Sequence, residues 1–202
     1  MRVHVASGVG RGPTDTAAYD AALAAAGVHN YNLVPVSSVL PADAEVVEVD
    51  AVPPLGPAGN RLTVVQSRAT ATSGRLAAGL GWATGPGPGI LYEATGTDAG
   101  AVRSAVERGL DAGCELRDWT FDDRTVRVRT AAADRPATIE LDGGELPDGA
   151  GDDPRADARA RTGSATADAR NDPAEDDAVV VGDPRHTCVV YLAAYGESEP
   201  IG

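Results

Sequence analysis

The chain has 202 residues, with 30 acidic side chains against 17 basic ones and a net charge of −13. That balance argues against a nucleic-acid or anionic-membrane partner, because both are drawn to positive surface. The length suits one domain, or one domain with an appendage, and an aromatic share of 4% leaves Val, Leu, Ile and Ala to fill the core.

All 17 bases are arginine. An acid-rich, lysine-free surface suits molar salt, where self-repulsion is screened and the strongly hydrated ammonium is avoided. A GC-rich genome produces the same Ala, Arg, Gly and Asp bias, and composition does not separate the two causes. The start, Met1-Arg2-Val3-His4-Val5, reads as a strand and lacks the apolar core of a secretory leader. No apolar run is long enough to span a bilayer. Cys114 and Cys188 form neither a framework nor a CxxC pair, which makes a reducing, cytoplasmic setting the expectation. His4, His29 and His186 show no ligand spacing, so no metal is expected.

In chain order, residues 2–6 alternate as a strand and give way to Gly8-Val9-Gly10-Arg11-Gly12-Pro13, which reads as a flexible turn. A dinucleotide fingerprint would need a further glycine where Pro13 stands, and an acid closing the next strand, where a serine pair is found instead. A helix is predicted over 16–26, capped by Thr14 or Asp15 and ended by Gly27. Residues 28–39 read as a strand closed by Pro41, and 45–52 alternate apolar and acidic as a half-buried strand. Further strands are expected at 61–70, 75–83 and 90–94, the last two separated by the breaker at 85–89. Val102, Val106 and Leu110 recur four apart in a helix over 98–112, with Gly113 as its stop. A hairpin of 114–121 with 125–130 and a last strand at 186–195 complete the reading. This order predicts an α+β fold, with helices covering a largely antiparallel sheet.

One stretch breaks the pattern. Residues 131–178 hold thirteen acids and five arginines, so −8 of the −13 lies there. Apolar periodicity fades after Leu141, and 145–177 read as an acidic, disordered or solvated insertion that cannot bury enough surface to offset ordering entropy.

The informative run is Asn30-Tyr31-Asn32-Leu33-Val34-Pro35-Val36-Ser37-Ser38-Val39-Leu40-Pro41. Two serines at a strand end usually do no more than satisfy their own hydroxyls. Together with Tyr19-Asp20-Ala21-Ala22-Leu23 and Gly89-Ile90-Leu91-Tyr92-Glu93, however, the run resembles the archaeal-type pyruvoyl-dependent arginine decarboxylases. Order and spacing match to about Trp119, and the final strand matches more weakly.

The resemblance implies a four-layer αββα sandwich of largely antiparallel sheets, assembled as a homo-trimer with active sites between subunits. It implies one decarboxylase domain over 1–202, cut between Ser37 and Ser38 into a 1–37 β chain and a 38–202 α chain. Ser37 supplies the cleaved carbonyl, and Ser38 is both nucleophile and precursor of a covalent pyruvoyl group that stands in for pyridoxal phosphate. Asn32 takes the position of the donor to the developing oxyanion. Glu93 takes that of the proton donor, in an apolar setting that would keep its proton available. Asp20 takes that of the carboxylate facing the substrate guanidinium. The implied reaction is arginine to agmatine and CO2. Two rivals stay open: a pyruvoyl decarboxylase for another amino acid, and an unprocessed, non-catalytic assembly partner.

Overall fold

The glycines that follow the first strand residues are not a turn. In the computed structural model, which describes residues 1–133 and 185–201, β1 (Arg2–Gly12) continues straight through them. Side chains alternate along a strand, so Gly8, Gly10 and Gly12 share one face, and that face lies under helix α1 (Asp15–Ala25). A Cβ on Gly12 would come within 2.6 Å of the Ala18 nitrogen, and one on Gly8 or Gly10 would overlap the Ala22 backbone. The helix meets this groove with Ala18, Ala22 and Ala26, all fully buried. Small residues on both partners let helix and strand backbones touch, and this packing by itself accounts for the Gly-x-Gly-x-Gly pattern. Thr14 caps α1 by accepting the Ala17 N–H at 3.1 Å.

The remaining strands are β2 (Asn32–Pro35), β3 (Val39–Leu40), β4 (Glu45–Glu48), β5 (Arg61–Ala71), β6 (Gly74–Thr84), β7 (Gly89–Gly96), β8 (Asp123–Ala133) and β9 (His186–Tyr195), with helix α2 (Ala99–Glu115) between β7 and β8. They form a five-stranded sheet in the order β2-β5-β9-β1-β4 and a four-stranded sheet in the order β3-β7-β6-β8. The pairs β1–β4 and β2–β5 are parallel and the others antiparallel.

The core is layered accordingly. Ala18, Ala22 and Leu23 of α1 pack on Leu62, Val64, Val190 and Leu192 of the first sheet. Between the sheets, Val3, Val5 and Val65 meet Leu40, Leu80 and Leu91. On the far side, Val106 and Leu110 of α2 cover Ala83, Ile90 and Val126. The result is the expected αββα order. Gly79 and Gly81 of β6 repeat the first device: a Cβ there would sit 2.7 and 2.6 Å from Val102 and Val106.

Two other expectations change. The span 28–39 is not one strand, because its chain passes from one sheet to the other after Pro35. The expected hairpin is also absent: α2 runs through Gly113 to Glu115, and 117–122 is irregular. Gly113 lies inside the helix rather than at its stop, and its bare Cα seats the Tyr92 ring. Trp119 and Phe121 alternate like strand residues but pack from a loop against the α2 cluster. The expected insertion at 145–177 lies outside the described residues.

Gly10→Val tests the groove. It is expected to cost about 1–3 kcal/mol or more, since the new atoms meet backbone that cannot rotate away. Gly87→Ala, with nothing within 4 Å, should stay within about 0.5 kcal/mol. Denaturant midpoints of the two variants measure the difference.

Candidate active site

The serine pair lies where the chain changes sheets. β2 is an edge strand, where Pro35 is tolerated because its missing N–H faces no partner in the ladder. The Val36 N–H still donates to the Val64 carbonyl at 3.1 Å, on the first sheet. By Val39 the chain pairs with Ile90 on the second. Ser37 and Ser38 span the gap. The Leu91 N–H donates to the Ser38 carbonyl at 2.9 Å, and the Val39 N–H donates to the Ser37 carbonyl at 2.8 Å. The second bond closes a three-residue turn centred on Ser38. Pro41 then ends β3.

Glu93 comes from β7, two residues beyond Leu91 and therefore on the face turned toward the other sheet. The Ser38 hydroxyl donates to Glu93 Oε2 at 3.3 Å. The intervening Tyr92 points the opposite way, into the hollow left by Gly109 and Gly113 on α2. Ser37, Ser38, Leu91, Tyr92, Glu93 and Arg117 line a cavity of about 270 Å³. A larger hollow of about 760 Å³, bordered by Glu48, Asp50, Arg129 and Tyr191, holds none of these groups.

The expected residues are brought together only in part. Ser37, Ser38 and Glu93 meet. Glu93 is exposed in the single chain, so the apolar enclosure expected for it is not found there. The Asn32 amide donates to the Gly59 carbonyl at 2.6 Å, fastening the start of β2 to the turn that leads into β5. Asp20 is exposed on α1, in the outer layer over the first sheet, and has no hydrogen-bond or ion-pair partner among the described residues.

Two side chains at the site were not anticipated. Arg117 follows α2, in the segment expected to be a strand. Tyr195 ends β9, and its hydroxyl donates to the Val39 carbonyl at 3.3 Å. Burial, and secondarily the Glu93 charge, push the Tyr195 phenol well above its ordinary value.

Fold and site define a class: a two-sheet αββα sandwich with a serine pair on a main-chain crossing between the sheets. The family model described as pyruvoyl-dependent arginine decarboxylase matches residues 2–140. Relatives of that same name include one from Halobacterium salinarum, 53% identical over 136 residues covering 66% of this chain and 85% of the relative. One from Methanopyrus kandleri is 34% identical, covering 63% of this chain and 80% of its own. One from Pyrococcus furiosus is 30% identical, covering 62% and 82%. The chain belongs to the pyruvoyl-dependent arginine decarboxylase family. Among the described residues, no helix is long and apolar enough to cross a membrane.

The raised Tyr195 value has a testable sign. The folded protein keeps this proton to higher pH than the unfolded chain, so stability falls as pH rises above the ordinary phenol value of 10.0. Tyr195→Phe removes that contribution, and denaturant titrations at alkaline pH should show a shallower fall for the variant. Tyr191, also raised by burial, accounts for part of what remains.

Proposed function

We propose that the chain cuts itself between Ser37 and Ser38, and that the processed protein decarboxylates L-arginine to agmatine and CO2. The observation that carries this reading is the tight turn at Ser38, with the Ser37 carbonyl held by the Val39 N–H at 2.8 Å and the Ser38 hydroxyl beside Glu93.

In self-cleavage, Ser38 Oγ attacks the Ser37 carbonyl carbon. The C–N bond breaks, the Ser38 nitrogen takes a proton, and an ester replaces the amide. The Val39 N–H already rests on the oxygen that carries negative charge in that step. Loss of the Ser38 α-proton expels the Ser37 carboxylate. Water then replaces the nitrogen, which leaves as ammonia, and residue 38 ends as a pyruvoyl group. Asn32, expected as donor to that oxyanion, has its amide on the Gly59 carbonyl; in this reading the Val39 N–H takes the donor's part, and Asn32 joins the self-processing set by fixing the strand that delivers Ser37.

The residues present fit such a group. The Ser38 carbonyl, retained through the conversion, is anchored by the Leu91 N–H at 2.9 Å, and the side chain opens into the cavity beside Glu93. When formed, the group supplies a ketone that joins the substrate amine and accepts the electrons left by CO2. Glu93 returns a proton to the α-carbon. Asp20 receives the guanidinium as a planar, bidentate pair.

Asp20 serves a neighbouring copy. It stands on α1, in the layer furthest from the four-stranded sheet, while Val34, Val36 and Val39, 40%, 41% and 38% exposed, surround the cut with apolar surface. A homo-trimer with sites between subunits would cover those valines, enclose Glu93 and bring Asp20 in. The acid-rich, lysine-free composition fits work in concentrated salt.

A panel of arginine, histidine, aspartate, lysine and ornithine, scored by CO2 release in high salt, tests the substrate. Arginine is expected to lead by a wide margin; faster turnover of another member would replace the reading. Asp20→Ala should raise KM for arginine by about 10- to 100-fold, while self-cleavage keeps its rate within about twofold. Equal loss of both would remove Asp20 from the substrate site.

A further inference from the structure

The geometry points to Arg117 as the residue that binds the substrate α-carboxylate. The inference rests on the reading above and extends it to the part of the substrate left without a partner. An amino acid brings three charged or reacting groups: the amine, which joins the ketone; the side-chain guanidinium, which Asp20 takes; and the carboxylate. Among the described residues, Arg117 is the one cation lining the cavity, and Glu93 the one carboxylate.

Arg117 is held for such a task. It is half-buried just beyond the end of α2. Nη1 donates to the Gly113 carbonyl at 2.8 Å, which uses the negative end of the helix to fix the guanidinium. The Trp119 ring lies 5.4 Å from its central carbon, within cation–π range. Nε and Nη2 make no hydrogen bond among the described residues. These two donors form one edge of the planar fork, the arrangement that pairs bidentately with a carboxylate. The side chain is thus anchored through Nη1 with two donors unengaged among the described residues, and it lines the cavity that holds Ser38.

This role has a particular kinetic signature. The carboxylate is charged in the bound substrate and loses its charge as CO2 forms. A cation on it therefore favours the ground state over the transition state, and supplies affinity and orientation rather than rate. Removing it should raise KM with kcat unchanged or slightly higher. A merely structural Arg117 would lower kcat through misplacement of Ser38 and Glu93.

The test compares two ligands of the processed protein by calorimetry. Argininic acid keeps the guanidinium and the carboxylate but has no amine to react. Agmatine keeps the guanidinium and an amine but has no carboxylate. Arg117→Gln is expected to weaken argininic acid by about 10- to 100-fold and agmatine by less than about threefold. Arg117→Lys, which keeps the charge but loses the fork, should fall between Gln and the parent for argininic acid; it shows the same split at smaller amplitude should Gln unfold the loop. Equal weakening of both ligands, or none of either, overturns the assignment while leaving arginine turnover by the parent protein intact. A parent protein that turns over no arginine overturns the substrate reading, and this inference with it.

Discussion

Between Pro35 and Val39 the backbone leaves one sheet and joins the other, and three main-chain hydrogen bonds hold it there. Val36 is tied to Val64 on the first sheet, Ser38 to Leu91 on the second, and Val39 to Ser37 across the turn between them. A strand that stayed within either sheet would have its carbonyls committed to a ladder. At the crossing, the Ser37 carbonyl is instead engaged by a neighbour two residues on, with a hydroxyl on the intervening residue. The two sheets must therefore be locked in position for the serine pair to keep its geometry. At the opposite edge, β4 and β8 are joined by Arg127, which donates to both Glu48 oxygens at 2.7 Å. Both partners are nearly half exposed, so that pair contributes modestly and less in salt. Most of the lock is the apolar layer between the sheets.

Glycine sets how closely the outer layers approach. With 24 glycines and few aromatics, the chain packs by bringing backbones together rather than by filling space with rings. The Gly8, Gly10 and Gly12 face admits α1, the Gly79 and Gly81 face admits α2, and Gly109 and Gly113 give Tyr92 its seat. The last of these bears on chemistry. Tyr92 lies between Leu91, which anchors Ser38, and Glu93, so burying its ring against α2 fixes the strand that presents both.

Much of this was legible in the sequence, and the gaps have physical causes. The strands expected at 61–70 and 75–83 are found as β5 and β6, and the α2 stripe is read from its four-residue spacing. The β1 extension was missed because glycine has no side chain with which to show which face is buried. The 28–39 stretch looks like one strand in the sequence because local pattern does not report a change of sheet. The loop at 117–122 imitates a strand, since Arg117, Trp119 and Phe121 alternate with polar residues. Of the site, the Ser37, Ser38 and Glu93 set was legible through the family resemblance. Arg117 and Tyr195 were not, because they reach it from elements whose closeness to Ser38 is set only by the sandwich. Asn32, bound to Gly59, and Asp20, exposed on α1, are not brought to Ser38 within the single chain.

The central claim is that this turn is built to be cut. An intact mass spectrum of the protein purified in high salt, beside its Ser38→Ala variant, tests it most directly. The account predicts two fragments from the parent, residues 1–37 and 38–202, the larger lighter by one ammonia than a chain beginning with serine, and a single uncut chain from the variant. A parent protein that stays whole through long incubation in salt would contradict it.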